Sequence, residues 1–277
     1  MPTYPGNAFE ILSQVRLGIN EYSEALVKGT DATGSFLNTE LMRHINNAQY
    51  FLWSALFGQF PDYFLTSASL SIASSVASLP ADCFKIKEVT DSDGYQIYPI
   101  TLQGRHRNAD TGSEHHYYRY GNTLRIDADS VTETGTLWYY SRCRELDTGA
   151  ASATNTLATT AKAILSYYNN MMFENITDST VDTITAYTAA RVVTATVSLT
   201  SGDYYGIISE LPEIFQPLIA SRAIMTMKMS PRVPIALSRA DTELFAGELR
   251  AAMQSFAGTL NSDSDVNSLF NDFEPIL

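Results

Sequence analysis

The chain has 277 residues and a mass of 30.6 kDa, enough for one large domain or two ordinary ones. Charged residues make up only 17% of it, against a usual value of about 25%, whereas Ser and Thr together account for about a fifth. The net charge of −12 excludes a general nucleic-acid-binding protein, because affinity for phosphate comes from Lys and Arg, and the 45% hydrophobic content excludes a disordered tail.

Two amphipathic helices are predicted near the start of the chain. Apolar residues recur at helical spacing over residues 8–20 and again from Asn38 to about Gly58. Asn38 is expected to cap the second helix, with Glu40 in the first turn, where the helix dipole favours an anion. Pro61 is expected to stop the chain from continuing as a helix.

The hydrophobic period becomes alternating near residue 67, which predicts a meander of strands. The predicted strands are 67–76, 79–89, 95–100, 117–120, 123–127 and 135–144. In the second of them Phe84, Ile86 and Val89 are expected to point inward. Gly121-Asn122 is a two-residue sequence typical of a tight β-hairpin.

Residues 147–162 are rich in Ala, Ser and Thr and almost uncharged, which indicates the edge of an inserted unit. Short runs with strand composition follow, separated by turn residues, as in a small barrel or sandwich. These predicted strands are 171–177, 182–187, 191–197 and 204–209.

The chain then returns to helical patterning. Pro217 suits the first position of a helix, and a last helix is predicted over 238–257, ended by Gly258. Its apolar face is expected to consist of Leu244, Phe245, Leu249, Met253 and Phe256.

These elements predict an α+β fold, in which N- and C-terminal helices form a small bundle beside a β-meander and an inserted small β domain. The predicted divisions are a helical core at 1–60 and 211–258, a β-strand region at 61–148, an inserted β domain at 149–210 and an extended acidic C-terminal arm at 259–277.

Catalytic and metal-binding patterns are weak. His115 and His116 lie beside acidic residues, but neighbours on a strand point to opposite faces, so they do not easily share an ion. No HExxH, CxxC, GxSxG or glycine-rich nucleotide-binding string is present. Trp53 and Trp138 are more often core residues than a sugar platform. We therefore predict no catalytic residues, no metal and no cofactor.

Cellular location is constrained by two further expectations. No run of 18 or more apolar residues is present, so no transmembrane helix is expected, and the first residues have no signal-peptide pattern. Cys83 and Cys143 show neither disulfide nor metal spacing, which favours two reduced thiols in a protein made in the cytoplasm.

Five regions carry a resemblance to a known family. They read LNTELMRHINNAQ at 37–49, SLPADCFKI at 78–86, DGYQIYPI at 93–100, YRYGNTLRI at 118–126 followed by GTLWYYSR at 135–142, and LPEIFQPLI at 211–219. In this order they resemble the head–tail adaptor (connector, or head completion) proteins of tailed bacteriophages, which dock under the portal. The string ITAYTAARVVT at 184–194 resembles a small β module common in phage structural proteins.

The resemblance implies a structural virion protein of the head–tail neck, without catalysis, made in the cytoplasm of the host bacterium. Such adaptors form a ring, usually of twelve copies, that binds the portal and extends the DNA channel. The implied partners are the portal protein, a tail, nozzle or stopper protein, and further copies of the chain. DNA passes through without specific binding, and no membrane is involved.

The C-terminal arm has an apolar stripe at the spacing of a short helix. The hypothesis is that this stripe anchors the arm on the portal or on the neighbouring subunit; the alternative is that the arm folds back on its own helices. The residues concerned are Val266, Leu269, Phe270, Phe273, Ile276 and Leu277.

Two other functions compete with the adaptor. One is another virion tail or receptor-binding component that holds glycans with its β domain. The other is a virion-associated hydrolase, which would need only two carboxylates from distant positions.

Overall fold

A computed structural model describes residues 6–30, 33–101, 103, 115–128 and 130–260. Over these residues the fold is α+β, as the sequence predicts, with helices towards both ends and strands between them. The chain divides into two compact units: a helical unit, Met1–Leu56 with Cys143–Leu277, and a sheet unit, Phe57–Arg142. The separate inserted domain at 149–210 stays a prediction.

The helices are α1 (Ala8–Gly18), α2 (Glu24–Val27), α3 (Asn38–Gln59), α4 (Gln216–Lys228) and α5 (Arg239–Leu260), with short 3-10 turns at Pro61–Phe64 and Glu213–Phe215. The strands are β1 (Leu65–Ile72), β2 (Val76–Ser78), β3 (Cys83–Thr90), β4 (Gln96–Pro99), β5 (His116–Tyr120), β6 (Thr123–Ile126), β7 (Glu133–Ser141), β8 (Thr148–Ala150), β9 (Met172–Asn175), β10 (Thr180–Thr183), β11 (Ala186–Tyr187), β12 (Val193–Thr194) and β13 (Tyr204–Ile207).

The first helices form as the periodicity predicts. Asn7 caps α1, its side chain accepting a hydrogen bond from the backbone N–H of Phe9. The long helix α3 buries Leu41, Ile45 and Leu52 along one face. Asn38 does not cap α3: its amide donates to the carbonyls of α2 and its oxygen accepts from Arg16, so this side chain joins α1, α2 and α3.

The C-terminal helices confirm Pro217 near the start of α4 and correct two details of α5. Ser238 and Asp241 cap α5 reciprocally, each side chain bonding the other's backbone N–H. Gly258 does not end α5, which continues to Leu260, and Leu244 is 64% exposed. A single glycine lowers helix stability by only about 1 kcal/mol, which the packing of the other apolar residues offsets.

The sheet unit contains a seven-stranded sheet with the order β1-β7-β3-β4-β5-β6-β2. All its pairs are antiparallel except β4 with β5. Its two outermost strands, β1 and β2, follow each other in the chain across a tight turn at Ser74 and Ser75, both with positive φ, so the sheet is nearly closed. The hairpin predicted at Gly121-Asn122 is confirmed, because Tyr120 pairs with Thr123.

The predicted inward position of Phe84 is wrong. Its side chain is 40% exposed, whereas Cys83 before it is buried. The ladder between β3 and β7 shifts register between Cys83 and Lys85 and again between Ile86 and Glu88. Each such irregularity changes which residues face the core, so strict alternation fails along β3.

Strands in the helical unit form a four-stranded sheet, β10-β9-β13-β8, and a separate pair, β11-β12. Of the strands predicted at 182–187 and 191–197, only the residues that fall within β10, β11 and β12 are in strands. The strand β8 lies at the start of the composition break, where its short, weakly apolar sequence gave no strand signal.

Candidate assembly surfaces

The predicted anchor residues of the arm, Val266, Leu269, Phe270, Phe273, Ile276 and Leu277, all lie outside the described residues. Trp53 is in the core of the helical unit, 1% exposed, whereas Trp138 lies on the outside of the sheet unit. The buried thiol Cys83 and the half-buried Cys143 form no disulfide.

Two kinds of site find no support in the part of the chain that the structure describes. No group of three or more His, Cys, Asp or Glu side chains there is placed to hold a metal ion. None of the described helices combines the length and the apolar composition that crossing a membrane requires.

Aromatic side chains cluster on the outer face of the sheet unit. Phe57, at the end of α3, meets the rings of Phe84 and Tyr140 edge-on, with centroids 5.3 and 5.5 Å away, and that of Phe64 at 6.3 Å. Tyr63 contacts Phe64 at 5.1 Å. Such edge-to-face contacts fix the rings relative to one another.

The strand register extends this cluster across three strands. Tyr140 of β7 lies opposite Leu65 of β1 and Lys85 of β3, and opposed residues share a face. Trp138 lies between Ser67 of β1 and Glu88 of β3 on that same face. We call the set Phe57, Tyr63, Phe84, Trp138 and Tyr140 the aromatic face.

Basic side chains border the aromatic face. The ammonium of Lys87 lies 5.8 Å from the centre of the Tyr140 ring and 3.8 Å from the carboxylate of Asp62. Lys85 is exposed beside it. The guanidinium of Arg119 donates to the backbone carbonyl of Phe84 at 3.0 Å, which holds the irregular part of β3 in place.

The rest of this face carries hydroxyls instead of charges. Ser69 lies opposite Thr136 and Ser71 opposite Thr134, and Ser69, Ser71 and Thr134 are exposed. Hydroxyls are cheaper to remove from water than ions, so such a surface suits contact with another protein. The arrangement offers aromatic area, a few cations and hydroxyls, and it has no feature of a reaction centre.

In the helical unit the strongest polar cluster is internal. Arg144 is buried and ion-pairs with Glu210, and it donates to the backbone carbonyls of Tyr167 and Asn169 at 3.0 and 2.5 Å. Gln49 of α3 donates to the carbonyl of Arg144 at 2.8 Å and accepts from Ser209 at 2.6 Å. These bonds tie the long helix to the segments before and after the strands of the unit.

A second buried cluster surrounds Asp147. Its carboxylate accepts hydrogen bonds from the hydroxyls of Tyr205 and Thr160. Burial raises the pKa of Asp147 to about 6 and holds the pKa of Tyr205 well above its ordinary value. Asp147 is only 5% exposed, so a substrate does not reach it, and the cluster is part of the core.

A cleft of about 310 Å³ opens beside the start of α3 and is lined by Arg16, Gly34, Phe36 and Asn38 among others. The Arg16 guanidinium there already donates to Asn38 and to the carbonyl of Phe36 and lies 3.6 Å from the carboxylate of Glu21. Burial lowers the pKa of Arg16. These contacts make Arg16 a structural residue that joins α1 to α3.

The aromatic face and its border contain four residues that the sequence does not single out, Phe57, Tyr63, Lys85 and Lys87, and a fifth, Phe84, that it assigns to the core. The sequence FKIK at 84–87 alternates as a half-buried strand does, so it gave no sign that Phe84 lies outside. The Ser-rich alternation of β1 was a usable signal, since its outward positions carry no charge.

Comparison with known proteins adds one finding. A family model described as SU10 adaptor protein matches residues 7–268. The search of curated proteins finds no match.

Proposed function

The chain belongs to the SU10 adaptor protein family of phage structural proteins, and on this premise we propose that it is a head-to-tail adaptor whose copies form a ring on the portal. The ring is expected to have twelve copies, to extend the DNA channel and to offer the docking surface for a tail, nozzle or stopper protein. Its place in the virion is the neck between head and tail.

The observation that carries the proposal is the outer surface of the sheet unit. Phe84 and Trp138 are each 40% exposed, and the outward residues beside them on β1 and β7 are Ser and Thr. Large exposed rings with neutral polar groups on one side and a few charges on the other are typical of a protein interface, because burying such a surface requires the desolvation of few charges. A subunit of a ring needs such surfaces for its neighbours.

The charge of the chain agrees with a channel through which DNA moves. A net charge of −12 does not attract phosphates, so a ring of such subunits would let DNA pass without holding it. This charge agrees with a conduit better than with a protein that binds DNA over its whole surface.

Two parts of the chain are proposed as contacts with other virion proteins. The apolar stripe of the arm, formed by Val266, Leu269, Phe270, Phe273, Ile276 and Leu277, anchors the chain on the portal or on a neighbouring subunit. The β-rich region 149–210 lies on the outside of the ring or contacts the tail.

The experiment measures mass by native mass spectrometry for the purified chain alone, for portal rings alone and for their mixture. The expected result is a small species for the chain alone and about twelve bound copies per portal ring. An unchanged portal mass at micromolar chain concentration contradicts the proposal. Binding on a glycan array would instead favour a receptor-binding protein, and a cleared zone in a cell-wall zymogram would favour a hydrolase.

A further inference from the structure

We propose that the aromatic face of the sheet unit is the docking site for residues 261–277 of an adjacent copy of this chain. The inference rests on the ring proposed above and adds to it a specific contact between neighbouring subunits. It names both sides of the contact: rings and lysines on one copy, an acidic and apolar segment on the next.

The aromatic face has the properties of a binding surface. Tyr63, Phe84 and Trp138 are 43, 40 and 40% exposed, although their neighbours Phe64 and Tyr139 are buried. The rings of Phe57, Phe84 and Tyr140 hold one another edge-on, so the surface is ordered before a partner arrives. A preformed aromatic surface loses little conformational entropy on binding, which favours affinity.

The charge at the border of this face is opposite to that of the whole chain. Lys85 and Lys87 of β3 are exposed beside Tyr140, and exposed Arg142 follows two residues after it. The opposing carboxylates are those of Asp62, Glu88 and Asp82, of which the last accepts a hydrogen bond from the hydroxyl of Tyr139, and Arg119 adds a further cation beside Phe84. Because the chain as a whole carries a net charge of −12, this local excess of positive charge favours binding of an acidic partner.

The segment 261–277 has the complementary chemistry. It contains no Lys or Arg, and its acidic residues are Asp263, Asp265, Asp272 and Glu274. Six apolar residues, including Phe270 and Phe273, lie between and after them. The phenyl rings of the segment can pack between the exposed rings of the aromatic face, and its carboxylates can pair with Lys85 and Lys87. The segment and the aromatic face are therefore complementary in both apolar area and charge.

The length of the segment permits contact with another copy. It follows Leu260, the last residue of α5, and its 17 residues reach roughly 56 Å when extended, at about 3.3 Å per residue. Copies that each carry −12 repel one another, and a contact between an acidic arm and a basic border turns the local interaction into an attraction.

The first experiment tests the docking site without any ring. A synthetic peptide of residues 261–277 is titrated into the full chain carrying Phe270→Ser and Phe273→Ser, so that the chain's own arm does not compete. Trp138 reports binding through its fluorescence and its quenching by acrylamide, since the only other tryptophan, Trp53, is buried. We expect saturable binding and protection of Trp138 from the quencher.

Matched variants separate the site from the rest of the surface. Lys85→Gln with Lys87→Gln should weaken peptide binding about tenfold or more, and added salt should weaken it further. Arg239→Gln, at an exposed basic residue of the helical unit, should leave it unchanged. A peptide with Ser at positions 270 and 273 should not bind. Equal binding by all variants, or no binding of the native peptide, overturns the docking site.

The second experiment identifies the copy that supplies the segment. In a Cys143→Ser background, one tagged chain carries Ser67→Cys beside Trp138, and an untagged chain carries Ser268→Cys; the two are mixed and assembled on portal rings. A disulfide between tagged and untagged chains is expected, whereas Ser92→Cys, in the turn after β3, should give none. No disulfide between tagged and untagged chains, together with a disulfide inside a single chain that carries both Ser67→Cys and Ser268→Cys, overturns the adjacent copy as the source, and so do cross-links to the portal alone.

The two experiments distinguish this inference from the adaptor function. If the peptide binds but no copies assemble on the portal, the docking site stands, while the ring and the adjacent-copy source are both refuted. If rings assemble but the peptide does not bind and no cross-link forms between copies, the adaptor function stands and the proposed contact between the arm and the aromatic face is refuted.

Discussion

The phenolic hydroxyl of Tyr205 donates a hydrogen bond to the carboxylate of Asp147 inside the helical unit. The same hydroxyl oxygen accepts from the backbone N–H of Ala158 at 3.0 Å. Because burial raises the pKa of Asp147 to about 6, this carboxyl group is neutral in mild acid and charged at pH 7. The core of the helical unit therefore contains a titrating group whose pKa the charge of Arg191 lowers only in part.

Asp147 should make the stability of the protein depend on pH between about 4 and 6. Its pKa in the folded state, about 6, exceeds the ordinary value of 3.8, so the folded protein keeps a proton that the unfolded chain releases. The contribution of this group to the free energy of unfolding is therefore complete below pH 4 and is lost as the pH rises through 6, by at most about 3 kcal/mol.

Urea unfolding of the wild type and of Asp147→Asn at several pH values checks this. The difference in the free energy of unfolding between the two should change over that interval and stay constant above it. Asp62→Asn, at an exposed carboxylate, is the control and should follow the wild type. Parallel curves for the wild type and Asp147→Asn would contradict the prediction.

Arg144→Ala should destabilise the protein by about 3 kcal/mol or more. The substitution removes a buried cation and leaves the carboxylate of Glu210 and the carbonyls of Tyr167 and Asn169 without their donor. Arg239→Ala removes an exposed i,i+4 partner of Glu243 and should cost less than about 0.5 kcal/mol. Chemical denaturation of both variants measures the contrast, and similar losses would refute it.

Two glycines should respond to alanine in opposite directions. A Cβ at Gly206 of β13 would overlap Oδ1 of Asn7, the buried cap of α1, so Gly206→Ala should cost about 1–3 kcal/mol. Nothing lies within 4 Å of a Cβ at Gly247 of α5, so Gly247→Ala should stabilise by about 1 kcal/mol. Thermal unfolding of both variants decides; a gain in stability from Gly206→Ala would show that Asn7 moves aside freely.

The two cysteines should react at very different rates. Burial raises the pKa of Cys83 to about 11, so at pH 8 almost no thiolate is present and the sulfur is also inaccessible. Cys143 is partly exposed. Labelling with a thiol reagent at pH 8 should give one fast equivalent that Cys143→Ser abolishes. A fast phase remaining in that variant would mean that β3 opens readily.

Much of the fold follows from local patterns in the sequence. The face of α3 with Leu41, Ile45 and Leu52 has a helical period, and the Gly121-Asn122 turn has the residues that a two-residue hairpin needs. Phe84 was misplaced because the register shifts of β3 depend on its partner strand β7, which no local pattern reveals.

The candidate surface was harder to predict than the fold. Trp138, Tyr139 and Tyr140 are three successive aromatic residues, and alternation alone does not say whether the odd or the even positions face the core. The structure buries Tyr139 and leaves Trp138 outside. Phe57 joins the same surface from the helix α3, where it contacts Phe84 of the strand β3. Such a contact between a helix and a strand forms only in the tertiary structure and leaves no repeating pattern in the sequence.

The position of the sheet unit in the chain has a consequence for how the protein folds. Its residues, Phe57–Arg142, are continuous, whereas the helical unit is assembled from segments before and after them. Leu65 pairs with Tyr140, so the two ends of the sheet unit are close once it has formed. The entropy lost on closing a loop grows with the number of residues in it. During synthesis the sheet unit can therefore close first, and α3 then meets the strands that follow residue 142 across a short connection instead of a long flexible one.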